Sequence, residues 1–302
     1  MSVSSRIYTR ACKFLNNQCV ANGAAIVLES NSTLDIHDTE LSNNIASAGA
    51  AIYSTDSSRI TMNNCTATSN SASSRAGAIY MTSFSELVMN GSMLVANYAN
   101  GPGGAVLSQD ESIVSIYNST ISDTVQSEGA LYFISGKPSV IAGCSFLNNF
   151  ASFSGAAISL GSQAQVHVRE CFFAGNNALR TGGAIALRDA ADIVVVDCLF
   201  RSNTATIAGG ALSIMGGAIG QVTDAMFWLN YAQEGGAVVL ISNYLKITNA
   251  SFTDNSARRG GGVSLVGENQ LIDCFFYNNS ATEGGGLFLT NLDTQSFESC
   301  VF

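Results

Sequence analysis

The sequence predicts an all-β solenoid, in which about eleven coils of 24 to 27 residues stack along one axis. The main observation is a Gly-Gly-Ala-Ile element, or a near copy of it, that recurs eleven times at that interval. A second element, an aromatic or aliphatic residue followed by two variable residues and Asn, precedes it by eight or nine residues. Between the two lie short stretches of period two, such as residues 165–168, which predict strands. The Gly-Gly-Ala-Ile elements end at Ile26, Ile52, Ile79, Val106, Leu131, Ile158, Ile185, Leu212, Val238, Val263 and Leu287.

The Asn of the second element predicts a structural ladder at a turn. In-register stacking places each amide above the next, so that it can donate to one coil and accept from another. Ten of the eleven units carry this Asn, and Thr124 replaces it in the remaining one. The predicted ladder consists of Asn17, Asn44, Asn70, Asn97, Asn149, Asn176, Asn203, Asn230, Asn255 and Asn279.

The aromatic residues of the same element predict a column of rings inside the solenoid, because stacked aromatic rings bury a large apolar area. The glycines before Ala-Ile predict a tight bend that needs either a positive φ or a close approach of two backbones. The predicted column consists of Phe14, Phe146, Phe173, Phe200, Phe227, Phe252 and Phe276.

Composition favours one elongated domain over residues 1–302. The repeat runs from end to end without a linker, and 47% hydrophobic against 12% charged residues suits a continuous interior. A net charge of −9 argues against nucleic acid as a partner, and the sequence has no apolar stretch long enough for a transmembrane segment. Because the repeat starts and stops in mid-unit, the sequence also predicts that this domain is part of a longer chain.

The paired Gly-Gly-Ala-[Ile/Leu/Val] and Phe-x-x-Asn motifs resemble the repeats of the chlamydial polymorphic outer-membrane proteins. Similar repeats occur in surface proteins of other microbes and of some algae and protists. The resemblance covers the whole chain, and it implies a right-handed parallel β-helix located outside the cell or at the cell surface. It implies a structural or adhesive role, with other subunits, neighbouring domains or surface glycans as partners. The repeats of that family carry no catalytic residues, so the resemblance implies no enzymatic activity and no cofactor.

Seven of the eight cysteines share one position in the repeat, two residues before the aromatic anchor or its equivalent. A shared interior column explains this through the burial preference of free cysteine, and we therefore favour buried thiols over disulfides. Without a Cys-x-x-Cys spacing or a histidine partner, the column does not predict a metal site. The seven are Cys12, Cys65, Cys144, Cys171, Cys198, Cys274 and Cys300, and Cys19 lies elsewhere.

Three acidic residues in consecutive units form the one cluster that could carry chemistry. Glu170, Asp197 and Asp224 fall in one column at a strand spacing of about 4.8 Å. A calcium site and a carboxylate cluster for glycoside cleavage both fit such a column. The favoured interpretation is a solvated turn.

Catalytic β-helices such as pectinases and polysaccharide lyases are the alternative class. The sequence has no Asn-Thr-Asp, Asp-Asp, Gly-His-Gly or Arg-x-Pro-x-x-Arg motif, and its unit lengths leave no long loops to build a groove. His37 and His167 fall in different columns and are predicted to be ordinary surface residues. The sequence thus favours a non-catalytic module over a polysaccharide-binding or polysaccharide-cleaving β-helix of the pectinase type.

A tyrosine column gives the candidate contact face. Alternation along a strand points the residue after each Gly-Gly-Ala-Ile element outward, and this residue is Tyr53, Tyr80 and Tyr132 in three units of the first half. An outward stripe of tyrosine is a candidate surface for a glycan or a protein. The alternative interpretation is that this face of the solenoid accommodates tyrosine without any binding function.

Overall fold

The computed structural model describes residues 5–134, 137–290 and 295–302, and none of these is in a helix. The chain winds through about eleven coils, each of which contributes strands to three sheets, A, B and C. All pairings between coils are parallel. The predicted all-β solenoid is therefore confirmed. No helix long and apolar enough to span a membrane occurs in the described part of the chain.

Sheet A consists of two ladders that run side by side. The first begins at the Gly-Gly-Ala-Ile elements, and the second precedes the turn into sheet B. The first ladder contains Ile26–Leu28, Ile52–Ser54, Ile79–Met81, Val106–Gln109, Leu131–Ile134, Ile158–Gly161, Ile185–Leu187, Leu212–Met215 and Leu287–Thr290. The second contains Arg6–Arg10, Thr33–His37, Arg59–Asn63, Glu86–Asn90, Ile113–Tyr117, Ser139–Ala142, Gln165–Arg169, Asp192–Val196, Ile219–Thr223 and Gln295–Glu298. Two long strands, Val238–Thr248 and Val263–Ile272, belong to both ladders.

Sheets B and C flank the turn that carries the Asn of the second element. Sheet B contains Lys13–Leu15, Glu40–Ser42, Thr66–Thr68, Met93–Val95, Thr120–Ser122, Ser145–Leu147, Phe172–Ala174, Leu199–Arg201, Met226–Trp228, Ser251–Thr253 and Phe275–Tyr277. Sheet C contains Ile45–Ala48, Ser71–Arg75, Tyr98–Ala99, Val125–Glu128, Phe150–Ser154, Asn177–Ala178 and Thr204–Ala205, and further along the rod Ser256–Arg259 pairs with Ser280–Glu283.

The glycines of the repeat meet two separate requirements. Gly182 has a φ of +63°, a left-handed conformation that glycine adopts without steric cost. Gly183 lies where the backbones of adjacent coils approach closely, since a Cβ on it would lie 2.0 Å from the carbonyl oxygen of Gly210. The bend between sheets C and A thus needs glycine for its conformation at one position and for space at the next.

The aromatic column occupies the interior of the C-terminal half. Neighbouring rings are nearly parallel, and Phe173 and Phe200 lie 4.7 Å apart between centroids at 5°. The stacked rings are Phe146, Phe173, Phe200, Phe227, Phe252, Phe276 and Phe302. Phe14 was predicted in this column but stacks on none of these rings, because its partner in the next coil is Leu41. The three coils between Leu41 and the first stacked ring carry Ala67, Leu94 and Ile121 there.

The Asn ladder runs along the turn between sheets B and C, and it links each coil to both neighbours. Asn176 is fully buried, and its Nδ2 donates to Asn203 Oδ1 at 2.9 Å and to Phe146 O at 3.0 Å. Its Oδ1 accepts from the backbone N and from Nδ2 of Asn149. Thr124 keeps part of the pattern, because its Oγ1 donates to Asn149 Oδ1 at 2.7 Å. The ladder therefore satisfies buried turn backbone that water cannot reach.

The cysteine column forms a second inter-coil ladder, and all eight cysteines are free. The Sγ of Cys171 donates to the carbonyl of Arg169 at 3.1 Å and accepts from the backbone N of Cys144 at 3.4 Å. Ser92 occupies the same position in another coil and makes the same two kinds of bond, to Asn90 O and from Cys65 N. Hydrogen bonding as well as burial therefore favours a small thiol or hydroxyl at this position. The predicted buried column is confirmed for its five inner members, whereas Cys12 and Cys300 are half-buried.

Candidate functional site

The predicted tyrosine face is not an exposed surface. Tyr53 is half-buried, while the relative solvent exposures of Tyr80 and Tyr132 are only 8% and 7%. Their rings do lie on the outer side of sheet A, as alternation requires, but the bend between sheets C and A folds back over them. Ala48 and Ala76 from that bend pack against these rings. The expectation that this column points into solvent is wrong, and burial raises the pKa of Tyr80.

The acidic column is exposed, and its conformation accounts for its composition. Glu170, Asp197 and Asp224 have φ values of 54°, 52° and 54°, and each lies at the turn between sheets A and B. Asn64 and Gly91 occupy the same position in other coils and are also left-handed. Because Asn, Asp and Gly are the residues that best tolerate this conformation, the column is explained as a turn.

Neither a metal-binding cluster nor a histidine site is found in the described ranges. No group of three or more His, Cys, Asp and Glu side chains there could hold a metal ion. His37 is half-buried, and its ring lies 5.5 Å from that of Tyr8, whereas His167 is exposed. The structure thus brings neither histidine to the acidic column.

A group of exposed and half-buried apolar side chains lies on the outer side of sheet B, in the C-terminal half. The relative solvent exposures are 57% for Met226, 46% for Phe275 and 60% for Tyr277. Three more apolar side chains on the same side are half-buried. We call this surface the aromatic face, and its members are Phe172, Leu199, Met226, Trp228, Phe275 and Tyr277. A contiguous exposed patch of this kind indicates a binding surface.

Polar contacts fix the position of Trp228 within the aromatic face. Its Nε1 donates to Asp254 Oδ2 in the next coil at 3.1 Å. The guanidinium of Arg201, in the preceding coil, lies 4.5 Å from the ring centroid and covers one side of the indole. The opposite side of the ring therefore faces the next coil, where the equivalent residue is the small Thr253.

The coil after Trp228 forms a depression in the aromatic face. Ser251 and Thr253 replace the larger side chains found in the coils on either side. The resulting cavity has a volume of about 360 Å³ and is lined by these two residues with Leu199, Met226, Phe227 and Trp228. Phe275 and Tyr277 lie just beyond it, with their ring centroids 6.1 Å apart and their ring planes nearly parallel. The depression is thus bordered by apolar side chains on both sides, roughly 10 Å apart at a strand spacing of ~4.8 Å.

The aromatic face was not predicted, although the sequence contains a signal for it. In a strand that buries its central residue, both neighbours point outward. The strands Met226–Trp228 and Phe275–Tyr277 each place large apolar residues on both sides of a buried Phe. An aromatic residue beside the recurrent interior ring position therefore marks the outer surface of sheet B.

A family model agrees with this architecture. The family model described as "Right handed beta helix region" matches residues 72–223. No curated protein matches the chain. Among solved structures, the catalytic unit of a thermostable GH87 alpha-1,3-glucanase from Streptomyces thermodiastaticus strain HF3-3 is similar, with 11% identity and a TM-score of 0.42. The catalytic domain of a GH87 alpha-1,3-glucanase variant in complex with tetrasaccharides has 9% identity and a TM-score of 0.43.

The chain covers less than two thirds of each of these structures. Both alignments include 98% of this chain but only 63% and 65% of the glucanase chains. At these identities and TM-scores the likeness carries no conclusion about this chain. The family model, in contrast, spans half of the sequence, and its matched region lies within the stacked coils described above. The chain belongs to the right-handed β-helix family.

Proposed function

We propose that the chain is an extracellular or cell-surface adhesive module without catalytic activity, and that its aromatic face binds a polysaccharide. The observation that carries the proposal is the concentration of exposed aromatic and aliphatic side chains on one side of a rigid β-helix. Exposing these side chains to water costs free energy that covering them recovers.

The shape of the aromatic face favours a sugar chain over a protein subunit. The depression at Ser251 and Thr253 is shallow and has apolar borders on two sides, which suits a flat ring inserted between them. The two hydroxyls at its base can bond to sugar hydroxyls. A protein partner would instead be anchored by a deep, fully desolvated pocket for a side chain.

The charges beside the depression favour a neutral sugar. Arg201 and Asp254 both contact Trp228, one through the ring face and one through Nε1. Their charges are opposite and balance each other beside the indole, and each side chain can form hydrogen bonds with sugar hydroxyls.

Binding to an array of neutral polysaccharides, followed by calorimetry on the best ligand, tests the proposal. Trp228→Ala and Tyr277→Ala each remove one aromatic side chain, on opposite sides of the depression, and we expect each to weaken binding about tenfold or more. Tyr231→Ala is the matched control, because Tyr231 is 50% exposed at the equivalent height of the rod but does not belong to the aromatic face.

Three outcomes would contradict parts of the proposal. Wild-type affinity in both face variants would exclude the aromatic face as the binding surface. Absence of binding to every polysaccharide, together with a face covered by a second subunit in solution, would replace adhesion by a structural role. Release of new reducing ends from a bound polysaccharide would show that the module is an enzyme.

A further inference from the structure

A second concave site lies at the corner between sheets C and A, away from the aromatic face. It is produced by a change of side-chain size in the column that contains the tyrosines. This column holds Tyr132 in one coil but only Ser159, Ala186 and Ser213 in the next three, before Val239 fills it again. The missing volume leaves a groove of about 240 Å³.

One end of the groove is closed by a side chain that spans two coils. Arg188 reaches over the coil of Ser159 and pairs with Glu128, to which Nη1 and Nη2 both donate. Its Nη2 also donates to the hydroxyl of Tyr132 at 2.7 Å. Asp189 lies 3.5 Å from Nε of the same guanidinium. Both nearby carboxylates therefore face Arg188, which holds this end of the groove in place.

The mouth of the groove carries a cation without an acidic partner. The guanidinium of Arg180 lies 4.3 Å from the ring centroid of Phe153, and both side chains are exposed. Among the described residues, no carboxylate pairs with Arg180, so the hydrogen-bond donors of its guanidinium remain available. Arginine with free donors binds a carboxylate through two parallel hydrogen bonds.

The base of the groove carries hydroxyl groups. Ser159 lines the groove at 2% exposure. Ser154 and Thr181 also line it, and their hydroxyls are 2.9 Å apart. The Ser159 hydroxyl can donate a hydrogen bond to, or accept one from, a polar ligand in the groove.

We propose that this groove binds one carboxylate-bearing sugar residue, such as a uronic acid. The carboxylate binds Arg180, a ring hydroxyl binds Ser159 Oγ, and the apolar side of the ring packs on Ala186 and Met215. The volume is below that of sites for drug-sized ligands, which limits the occupant to a single ring. The site is separate from the aromatic face and does not depend on the proposed adhesive function.

Saturation-transfer NMR and calorimetry with glucuronate, glucose and acetate test the site. We expect glucuronate to bind in the millimolar range, glucose at least about tenfold more weakly, and acetate more weakly than glucuronate. Arg180→Gln should weaken glucuronate binding about tenfold. Ala186→Leu fills the groove with the side chain that Leu107 already places in the same column, and it should abolish binding without unfolding the coil.

Arg169→Ala is the matched control, since Arg169 is exposed on a different side of the rod. It should leave glucuronate binding unchanged. Equal affinities for glucose and glucuronate would overturn the role of Arg180, and equal affinities for acetate and glucuronate would reduce the groove to an anion site. Absence of glucuronate binding, or wild-type binding by Ala186→Leu, would overturn the proposal as a whole. None of these results depends on Trp228 or Tyr277.

Discussion

Removal of one amide from the Asn ladder should destabilise the protein far more than removal of an exposed neighbour. Asn176→Ala deletes two hydrogen bonds that the side chain donates and two that it accepts. At about 1 kcal/mol each, these account for roughly 4 kcal/mol. One of the four is accepted from the buried backbone N–H of Asn149, and leaving that donor without an acceptor raises its share of the loss from about 1 to about 1–3 kcal/mol. We therefore expect the free energy of unfolding to fall by roughly 4–6 kcal/mol.

Urea denaturation followed by circular dichroism measures this loss, and amide hydrogen exchange locates it. The exchange of the Asn149 amide should accelerate most, because its acceptor is the deleted Oδ1. Asn177→Ala is the matched control, since Asn177 is the exposed next residue and should change stability by no more than about 0.5 kcal/mol. Asn176→Thr should lie between the two, because Thr124 keeps part of the ladder. A loss below about 1 kcal/mol for Asn176→Ala would refute the ladder as a main source of stability.

Three further predictions concern the interior and the turns. Phe200→Ala should cost about 3–5 kcal/mol in a denaturation experiment, because the ring is fully buried between two others, and a cost below that of Phe200→Leu would contradict the stacked column. Burial raises the pKa of the Cys274 thiol to about 11, so Ellman's reagent at pH 8 should label the half-buried Cys19 quickly and Cys274 only after unfolding; equal rates would be inconsistent with burial. Asp197→Val should destabilise by about 1–2 kcal/mol because its φ is positive, while Asp197→Asn should be nearly neutral; a large effect of Asn would instead indicate that the charge matters.

The fold was predictable because the residues that recur in the sequence are those that form the contacts between neighbouring coils. In-register stacking places identical residues on one another. An Asn or Phe that recurs once per coil can therefore be predicted from the sequence to be a buried, stacked residue. Phe14 shows the limit of this argument. Sharing a position in the repeat does not produce stacking unless neighbouring coils also carry a ring, and Leu41 occupies the next one.

The binding surfaces were harder to predict. The alternation of side chains along a strand shows which side chains point away from the interior, but it does not show which of them are exposed to solvent. Tyr80 points away from the interior as predicted, yet the bend that carries Ala76 covers it. No local pattern reports that a turn folds back over a strand, since the covering residues belong to another part of the coil. The aromatic face has the same outward direction, and no turn covers it. Tertiary structure therefore determines which column of outward-pointing side chains is exposed to solvent.

Trp228 is the only tryptophan of the chain, and its fluorescence tests the central claim most directly. The indole borders the depression of the aromatic face, so a polysaccharide that binds there must change its environment. We predict a saturable shift of Trp228 emission during titration with the bound polysaccharide, and loss of that shift in Tyr277→Ala but not in Tyr231→Ala. Polysaccharide binding with unchanged Trp228 emission would contradict the account.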